Sequence, residues 1–289
     1  RTAAPLPPCT PAPLPLSPET LATYPGLLLE PEYEWAASFE RSGWSPIEYD
    51  LGIAFDSNNN VYTIGGFNDT VDFDPGPGTF NLTSAGGGNQ VFISKLNTDG
   101  TFAWAKSFEG SSSWEHGTSI ALDNSGNIYT TGSFGGTVDF DPGPGTFNLT
   151  SAGQSDTFIS KLNADGTFAW AKSFGGSSSD ETYSIAVDDS GNIYTTGIFS
   201  GTADFDPGAD TFNLAGGGGF ISKLNADGTF AWAKSFGKNN GYDLGLNIAV
   251  DDSGNVYTTG WFSGPVDFDP GSGTANLTSA VELSLIHIS

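Results

Sequence analysis

One hexapeptide constrains this chain more than any other feature. Ala103-Trp104-Ala105-Lys106-Ser107-Phe108 returns almost letter for letter at Ala169 to Phe174 and again at Ala231 to Phe236. A degenerate copy, Trp35-Ala36-Ala37-Ser38-Phe39, stands near the N-terminus. A chain that repeats itself this closely is an array, so its residues are weighed as scaffold before any is weighed as a site. The tyrosines of NNNVYTIGGF, GNIYTTGSF, GNIYTTGIF and GNVYTTGWF set the register at Tyr62, Tyr129, Tyr194 and Tyr257, at intervals of 67, 65 and 63 residues.

Within each unit the pattern is strand, turn, strand, long loop, strand, turn, strand. In the second copy Ser119 to Leu122 is a short apolar strand, Asp123-Asn124-Ser125-Gly126 carries turn chemistry, and Asn127 to Phe134 is the next strand. Thr137 to Phe140 reads as a brief continuation or hairpin return, and Asp141 to Gly153 as a loop too rich in Pro and Gly for regular structure. Phe158 to Leu162 and Thr167 to Phe174 are strands joined by the Asp165-Gly166 turn.

Alternation places Phe168, Trp170 and Phe174 on one face of the last strand and Ala169, Ala171 and Ser173 on the other. Stacked copies set each bulky face against the next shallow one. Together these features predict an all-β fold: a β-propeller of four repeats of roughly 65 residues, each of about four antiparallel strands. A β-solenoid is the rival, but its rungs are much shorter.

The combination of IAVDDSGNIYTTG, FISKLNADG, FAWAKSFGG and VDFDPGPGTFNLTSAG resembles the bacterial β-propeller repeat family called SBBP, over roughly residues 33 to 282. The resemblance implies an extracellular or cell-surface propeller, an accessory module of larger secreted proteins, with no common catalytic residue set. The family generally closes with more than four blades, so the chain reads either as a small ring or as part of a longer one.

The expected domains are a Pro-rich extended arm or linker at 1–32, propeller repeats at 33–282, and a non-repeat tail at 283–289. In the arm, Leu27-Leu28-Leu29 is an apolar triplet able to add as a strand to a neighbour. The chain begins at Arg1 without a signal-peptide pattern, which reads as a processed form or a fragment. The fourth unit lacks FISKLN and WAKSF strands. Val281 to Ile288 is a candidate for its third strand, and Trp35 to Phe39 for the outer strand that closes the ring. Leu283 to Ser289 resembles nothing else in the chain and looks like translated adapter sequence, so the native protein is expected to continue past about residue 282.

Thirty-three acidic against nine basic residues give a net charge of −24, which opposes nucleic acid and anionic membranes and is compatible with binding cations. No apolar run approaches the roughly 20 residues of a membrane span. Cys9 is the only cysteine, so no internal disulfide forms.

The candidate metal ligands are the paired aspartates of the repeated insert: Asp72 and Asp74, Asp139 and Asp141, Asp204 and Asp206, Asp267 and Asp269. Two carboxylates two residues apart before a Pro-Gly loop are able to wrap a hard cation such as calcium. The competing reading is a strand end capped by solvated, turn-forming acids. Asp188 to Asn192 and Asp251 to Asn255 partly resemble the Asp-box turn of sialidase propellers and read as structural turns. Gly86 to Gly88 and Gly216 to Gly219 open no helix and are not phosphate loops. The sequons at Asn68, Asn81, Asn148 and Asn276 recur with the repeat.

His116 and His287 are too few for a repeated metal site or a triad, and no acid pair departs from the repeat as a catalytic pair would. The variation lies at Ser111 to His116, Ser177 to Thr182 and Lys238 to Asp243, where binding would be placed. The reading is a non-catalytic structural or adhesive module, self-assembling through its arm and partnered by other copies or by cell-surface proteins and glycans. The alternative is a calcium-dependent glycan- or protein-binding propeller using Trp114 and Trp261. A secreted hydrolase stands third.

Overall fold

The computed structural model describes residues 34–41, 52–84, 88–110, 114–237, 243–269 and 273–284. The chain divides into two units, Arg1–Trp35 and Ala36–Ser289. The expected arm lies outside the described residues, as do Cys9, Leu27 to Leu29 and residues 285–289. All the described residues except Glu34 and Trp35 belong to the second unit.

All described regular structure is β. A short β1 (Glu40–Arg41) precedes the first repeat, which supplies β2 (Gly52–Phe55), β3 (Val61–Phe67), β4 (Thr70–Asp72), β5 (Asn81–Thr83), β6 (Gln90–Leu96) and β7 (Phe102–Ser107). After β8 (Glu109–Gly110) the second repeat supplies β9 (Glu115–Leu122), β10 (Ile128–Phe134), β11 (Thr137–Asp139), β12 (Asn148–Thr150), β13 (Asp156–Leu162) and β14 (Phe168–Gly176). The third supplies β15 (Glu181–Val187), β16 (Ile193–Phe199), β17 (Thr202–Asp204), β18 (Asn213–Ala215), β19 (Gly218–Leu224) and β20 (Phe230–Phe236). The fourth supplies β21 (Leu244–Val250), β22 (Val256–Asp267) and β23 (Asn276–Ser284).

The main strands form antiparallel sheets in the orders β2-β3-β6-β7, β9-β10-β13-β14, β15-β16-β19-β20 and β21-β22-β23, termed blades 1 to 4. The first strands of successive blades lie against one another, and the second strand of each packs on the first of the next: β3 on β9, β10 on β15, β16 on β21. This is a β-propeller-like repeat fold. The turns inside the blades follow the expected chemistry: Gly126 at φ +79° and Gly166 at φ +80° supply the left-handed residue each hairpin needs.

The insert is more ordered than its Pro and Gly content predicts. Asn148-Leu149-Thr150, expected to be loop, is β12 and pairs with β11. Its far strand, β11, reaches back across the blade boundary: Val138 pairs with Gly110 and Asp139 with Glu109, immediately after the outer strand of blade 1. Asp204 with Gly175, and Asp72 with Glu40, repeat the tie. The first three inserts thus latch their blades to the strand before them.

Face assignment along the outer strand needs one correction. Lys161 pairs with Trp170 and Leu162 with Phe168, so Ala169 is bulged out and simple alternation fails there. Phe168 therefore packs with the core that holds Ala171, while Trp170 and Phe174 belong to the other face. Apart from Phe168, bulky against shallow holds. Ile120, Ile128, Phe134, Phe158, Leu162 and Ala171 of blade 2 meet Tyr62, Ile64, Val91, Ile93 and Trp104 of blade 1.

Four phenylalanines meet at the boundary of blades 1 and 2 and again at that of blades 2 and 3, while Phe236, Phe262 and Phe268 meet at that of blades 3 and 4. Phe140 of the insert lies 5.3 Å from Phe134, 5.0 Å from Phe158 and 4.9 Å from Phe108, the last delivered by the WAKSF strand of the preceding blade. Blade 3 repeats the cage with Phe205 at 5.4, 5.0 and 5.0 Å from Phe199, Phe220 and Phe174. In blade 1 Phe73 is the hub, 5.5 Å from Phe67, 4.8 Å from Phe92 and 5.0 Å from Phe39. Offset and edge-on contacts at these separations are favourable beyond the area they bury. Truncating the hub, Phe140→Ala, is expected to cost about 3–5 kcal/mol in urea unfolding. Phe147→Ala, which removes a ring part-exposed on the surface of Phe168, is expected to cost about 1 kcal/mol.

Candidate functional site

The blade connections sort chemistry between two ends of each sheet. Because neighbouring strands are antiparallel, the β2–β3 and β6–β7 turns lie at one end, and the insert and the blade-to-blade loop at the other.

On the insert side, the structure places the predicted aspartates as loop staples. Asp72 Oδ1 accepts N–H bonds from Asp74 at 3.0 Å and Phe80 at 2.8 Å. Asp139 does the same for Asp141 at 3.0 Å and Phe147 at 2.7 Å, Asp204 for Asp206 at 3.1 Å and Phe212 at 2.8 Å, and Asp267 for Asp269 at 3.0 Å and Ala275 at 2.8 Å. The second acids turn the Pro-Gly segment: Asp74, Asp141 and Asp206 each accept the N–H of Gly76, Gly143 and Gly208 at 2.8 Å. The N–H groups of Phe80 and Asp74 hold the Asp72 carboxyl below the usual carboxylate range. The phenylalanine between each pair is buried, as the alternation predicts. Each pair serves its own loop, and among the described residues no group of three acids, histidines or cysteines is drawn together around a metal-sized space.

On the opposite side, the turn read as structural proves to be a larger assembly. Asp123 Oδ1 accepts the N–H groups of Ser125 and Asn127, both at 2.9 Å, while Oδ2 accepts Asn127 Nδ2 at 2.7 Å and the Tyr129 hydroxyl at 3.1 Å. Asp56, Asp188 and Asp251 repeat it with Tyr62, Tyr194 and Tyr257. Burial pushes Asp56 upward, but the bonds donated by Asn60, Asn58 and Tyr62 prevail and bring it down to about 2. Lys95 sits 3.5 Å from Asp56 Oδ2 and 4.8 Å from the Tyr62 ring centre, and Lys161 and Lys223 stand over Tyr129 and Tyr194 in the same way. The tyrosine and lysine roles are not evident from the residues taken one at a time. Their signal is the invariant spacing from Asp through Asn to Tyr, and the lysine of every FISKL strand.

Between these turns lie polar clefts. One of about 510 Å³ separates blades 1 and 2, lined by Asp56, Asn58, Asn60, Lys95, Asp123 and Asn124. Another of about 380 Å³ separates blades 3 and 4, lined by Asp188, Asp189, Ser190, Asp251, Asp252 and Ser253. At the boundary of blades 2 and 3, Asn124 Nδ2 donates to Asp189 Oδ1 at 2.9 Å.

The variable loops are described in part, with 111–113 and 238–242 outside the described residues. Trp114 is 67% exposed, its carbonyl accepting the Gly135 N–H at 3.0 Å and its ring 6.2 Å from that of His116. Immediately below, Glu115 is fully buried, and no hydrogen bond from the described residues reaches either carboxyl oxygen. The matching Asp180 accepts the N–H of Gly176 at 2.6 Å and of Ser200 at 3.0 Å, and Asp243 that of Ser263 at 2.7 Å. An acid five residues before the inner-strand isoleucine recurs in every copy, a signal that the scatter of the flanking loop hid.

Burial raises Glu115 from an ordinary 4.5 to about 8. Burial likewise raises Asp156 to about 6, against the Ala152 N–H and assisted by the Asp180 charge. The folded chain therefore holds the Glu115 proton more tightly than the unfolded chain, and this residue erodes stability as pH climbs from about 4.5 to about 8. Glu115→Gln is expected to leave stability unchanged at pH 4 and to raise it at pH 7 by on the order of 3 kcal/mol, read from melting curves against pH.

Comparison with known proteins agrees with this architecture. The chain is 29% identical over 282 residues to the uncharacterized WD repeat-containing protein L264 of Acanthamoeba polyphaga mimivirus, across 84% of this chain and 20% of that protein. The chain thus spans about a fifth of that relative's length. Residues 169–197, from the second WAKSF strand to the third YTTG strand, match the SBBP family model, described as a beta-propeller repeat.

Proposed function

We propose that the chain is a non-catalytic structural and adhesive module built on four repeats, working outside the cell or on its surface, with other copies or surface proteins and glycans as partners. The observation that carries this reading is the division of labour among its side chains. The repeated carboxylates of the inserts bind the N–H groups of their own loops. Trp114, which departs from the repeat, stands exposed at the end of the variable loop, its ring 6.2 Å from that of His116 at the start of β9. A rigid scaffold with one irregular aromatic loop is organised for recognition. The WD repeat name of the viral relative accords with a scaffold role. The Pro-rich arm at 1–32, expected to link copies, lies outside the described residues. Trp114→Ala is expected to weaken binding to intact cells or a glycan and surface-protein array about tenfold or more, with the melting temperature unchanged. Binding that survives the substitution unaltered overturns the role of this loop.

The second reading is a calcium-dependent binder, favoured by the paired aspartates at four equivalent loop tips, Asp72 with Asp74 through Asp267 with Asp269. Its test is melting with calcium and with chelator. A cation held by these loops raises the melting temperature, and Asp141→Asn together with Asp74→Asn reduces the gain. Identical curves in the two conditions dispose of the calcium reading.

A further inference from the structure

We propose that Asp156 of blade 2 and Asp180 of blade 3 share one buried proton, and that this proton fastens the seam between the two blades in acid and releases it as pH rises. The inference rests on the seam itself and is independent of the adhesive reading.

The seam runs where β13 of blade 2 and β15 of blade 3 begin side by side. Ser155 and Ser179 form a parallel bridge, and the Asp180 N–H donates to the Ser155 carbonyl at 2.9 Å. Ser179 Oγ donates to Gln154 Oε1 at 3.2 Å, and Thr182 Oγ1 to Thr157 Oγ1 at 2.8 Å. Asp156 and Asp180 lie within this run, 4% and 1% exposed. Asp156 Oδ2 accepts the Ala152 N–H at 2.9 Å, which fixes the loop of blade 2. Asp180 accepts the N–H of Gly176 from blade 2 and that of Ser200 from blade 3, so it ties both blades.

One oxygen is left over. Asp156 Oδ1 is buried without a hydrogen-bond partner among the described residues. A methyl group in place of a Gly175 hydrogen would lie 2.7 Å from Asp156 Oδ1 and 2.9 Å from Asp180 Oδ2, so both oxygens point to the same space above Gly175. Two carboxyls that meet away from water do not both ionise readily, and a single proton between them removes the repulsion and gives Asp156 Oδ1 its missing partner. Among the described residues the charges acting on the pair are its own and that of Glu181, which accepts the Tyr183 hydroxyl at 2.8 Å, and all are of one sign. Burial, assisted by the Asp180 charge, holds Asp156 at about 6, and burial raises Asp180 in the same direction.

The pair breaks the symmetry of the repeat. At the boundary of blades 1 and 2 the same two positions carry Gln90 and Glu115, with Glu109 in the place of Gly175. At the boundary of blades 3 and 4 they carry Gly218 and Asp243. Facing acids thus mark one of the three seams, and that seam carries the variable stretch Ser177 to Thr182. The sign of the effect follows from the raised acid. A closed seam binds the proton more tightly than an open one, so its stability is complete below an ordinary 3.8 and is lost as pH climbs to about 6.

The test is a pH titration of the full chain, labelled with carbon-13 only in its aspartate carboxyls and followed by NMR. A step near pH 6 is expected to move two resonances together, as a shared proton requires. Asp156→Asn places an N–H donor where the proton would sit, and is expected to abolish that step. Hydrogen exchange of peptides 150–157 and 176–183, corrected for the intrinsic rate, reads the seam directly. In the wild type the opening constant is expected to rise about tenfold per pH unit between 3.8 and about 6 and to level off above, and in Asp156→Asn to stay flat. A wild-type chain with no aspartate step above the ordinary range overturns the proposal, as does an Asp180 step that survives near pH 6 in Asp156→Asn, since the two acids then titrate separately. Wild-type exchange that is flat with pH overturns the fastening role. If calcium at neutral pH closes the seam in the wild type and not in Asp156→Asn, the pair is a cation site and the shared proton is excluded.

Discussion

The structure depends on a phenylalanine delivered across each blade boundary. Phe108, Phe174 and Phe236 end the outer strand of one blade, but their rings lie in the core of the next, against Phe140, Phe205 and Phe268. Burying an aromatic ring removes a large apolar area from water, and here that gain is available only when two neighbours are both folded. The insert adds a backbone tie at the same place, so packing and hydrogen bonding enforce one boundary together. Stability therefore accrues between neighbours as much as within blades, as in other stacked repeats.

This arrangement explains the uses to which the acids are put. A chain with such an excess of carboxylates has to keep them from destabilising its compact state. Asp56, Asp72, Asp123, Asp188, Asp251 and Asp267 are tied to backbone N–H groups in turns, bonds that favour their ionisation and fix the loop at the same time. Asp123 illustrates the economy of the device, serving two backbone donors, an amide and a phenol with its two oxygens. Glu115 departs from this, as does Asp156. One methylene longer than Asp180 and Asp243, Glu115 enters the same buried position without reaching their backbone partners.

Much of the fold was legible because the chain states it repeatedly. Tyr129 and its copies gave the period, Asp-Gly and Asp-Ser-Gly gave the hairpins, and Trp170 against Ala171 gave the two faces. Phe168 was misassigned because a bulge at Ala169 leaves no mark in the side-chain alternation. The strand at Asn148 to Thr150 was hidden by the Pro and Gly beside it, since its order comes from pairing with β11 rather than from its own composition. The candidate site was less legible. Spacing identified the insert aspartates, but their partners are backbone N–H groups, which no residue letter records. The Asp-Tyr-Lys assembly spans two strands that only the register brings together.

The bulky and shallow faces carry a further consequence. Every repeat brings one face of each kind, so inserting or deleting a whole repeat leaves each remaining boundary chemically unchanged. Nothing in the interface keeps count of the blades. Their number is then a matter of curvature alone, set by how far each boundary turns the next sheet. A lineage of such chains is free to lengthen or shorten by unequal recombination between copies, with the angle at the boundary, rather than any particular side chain, deciding which lengths close.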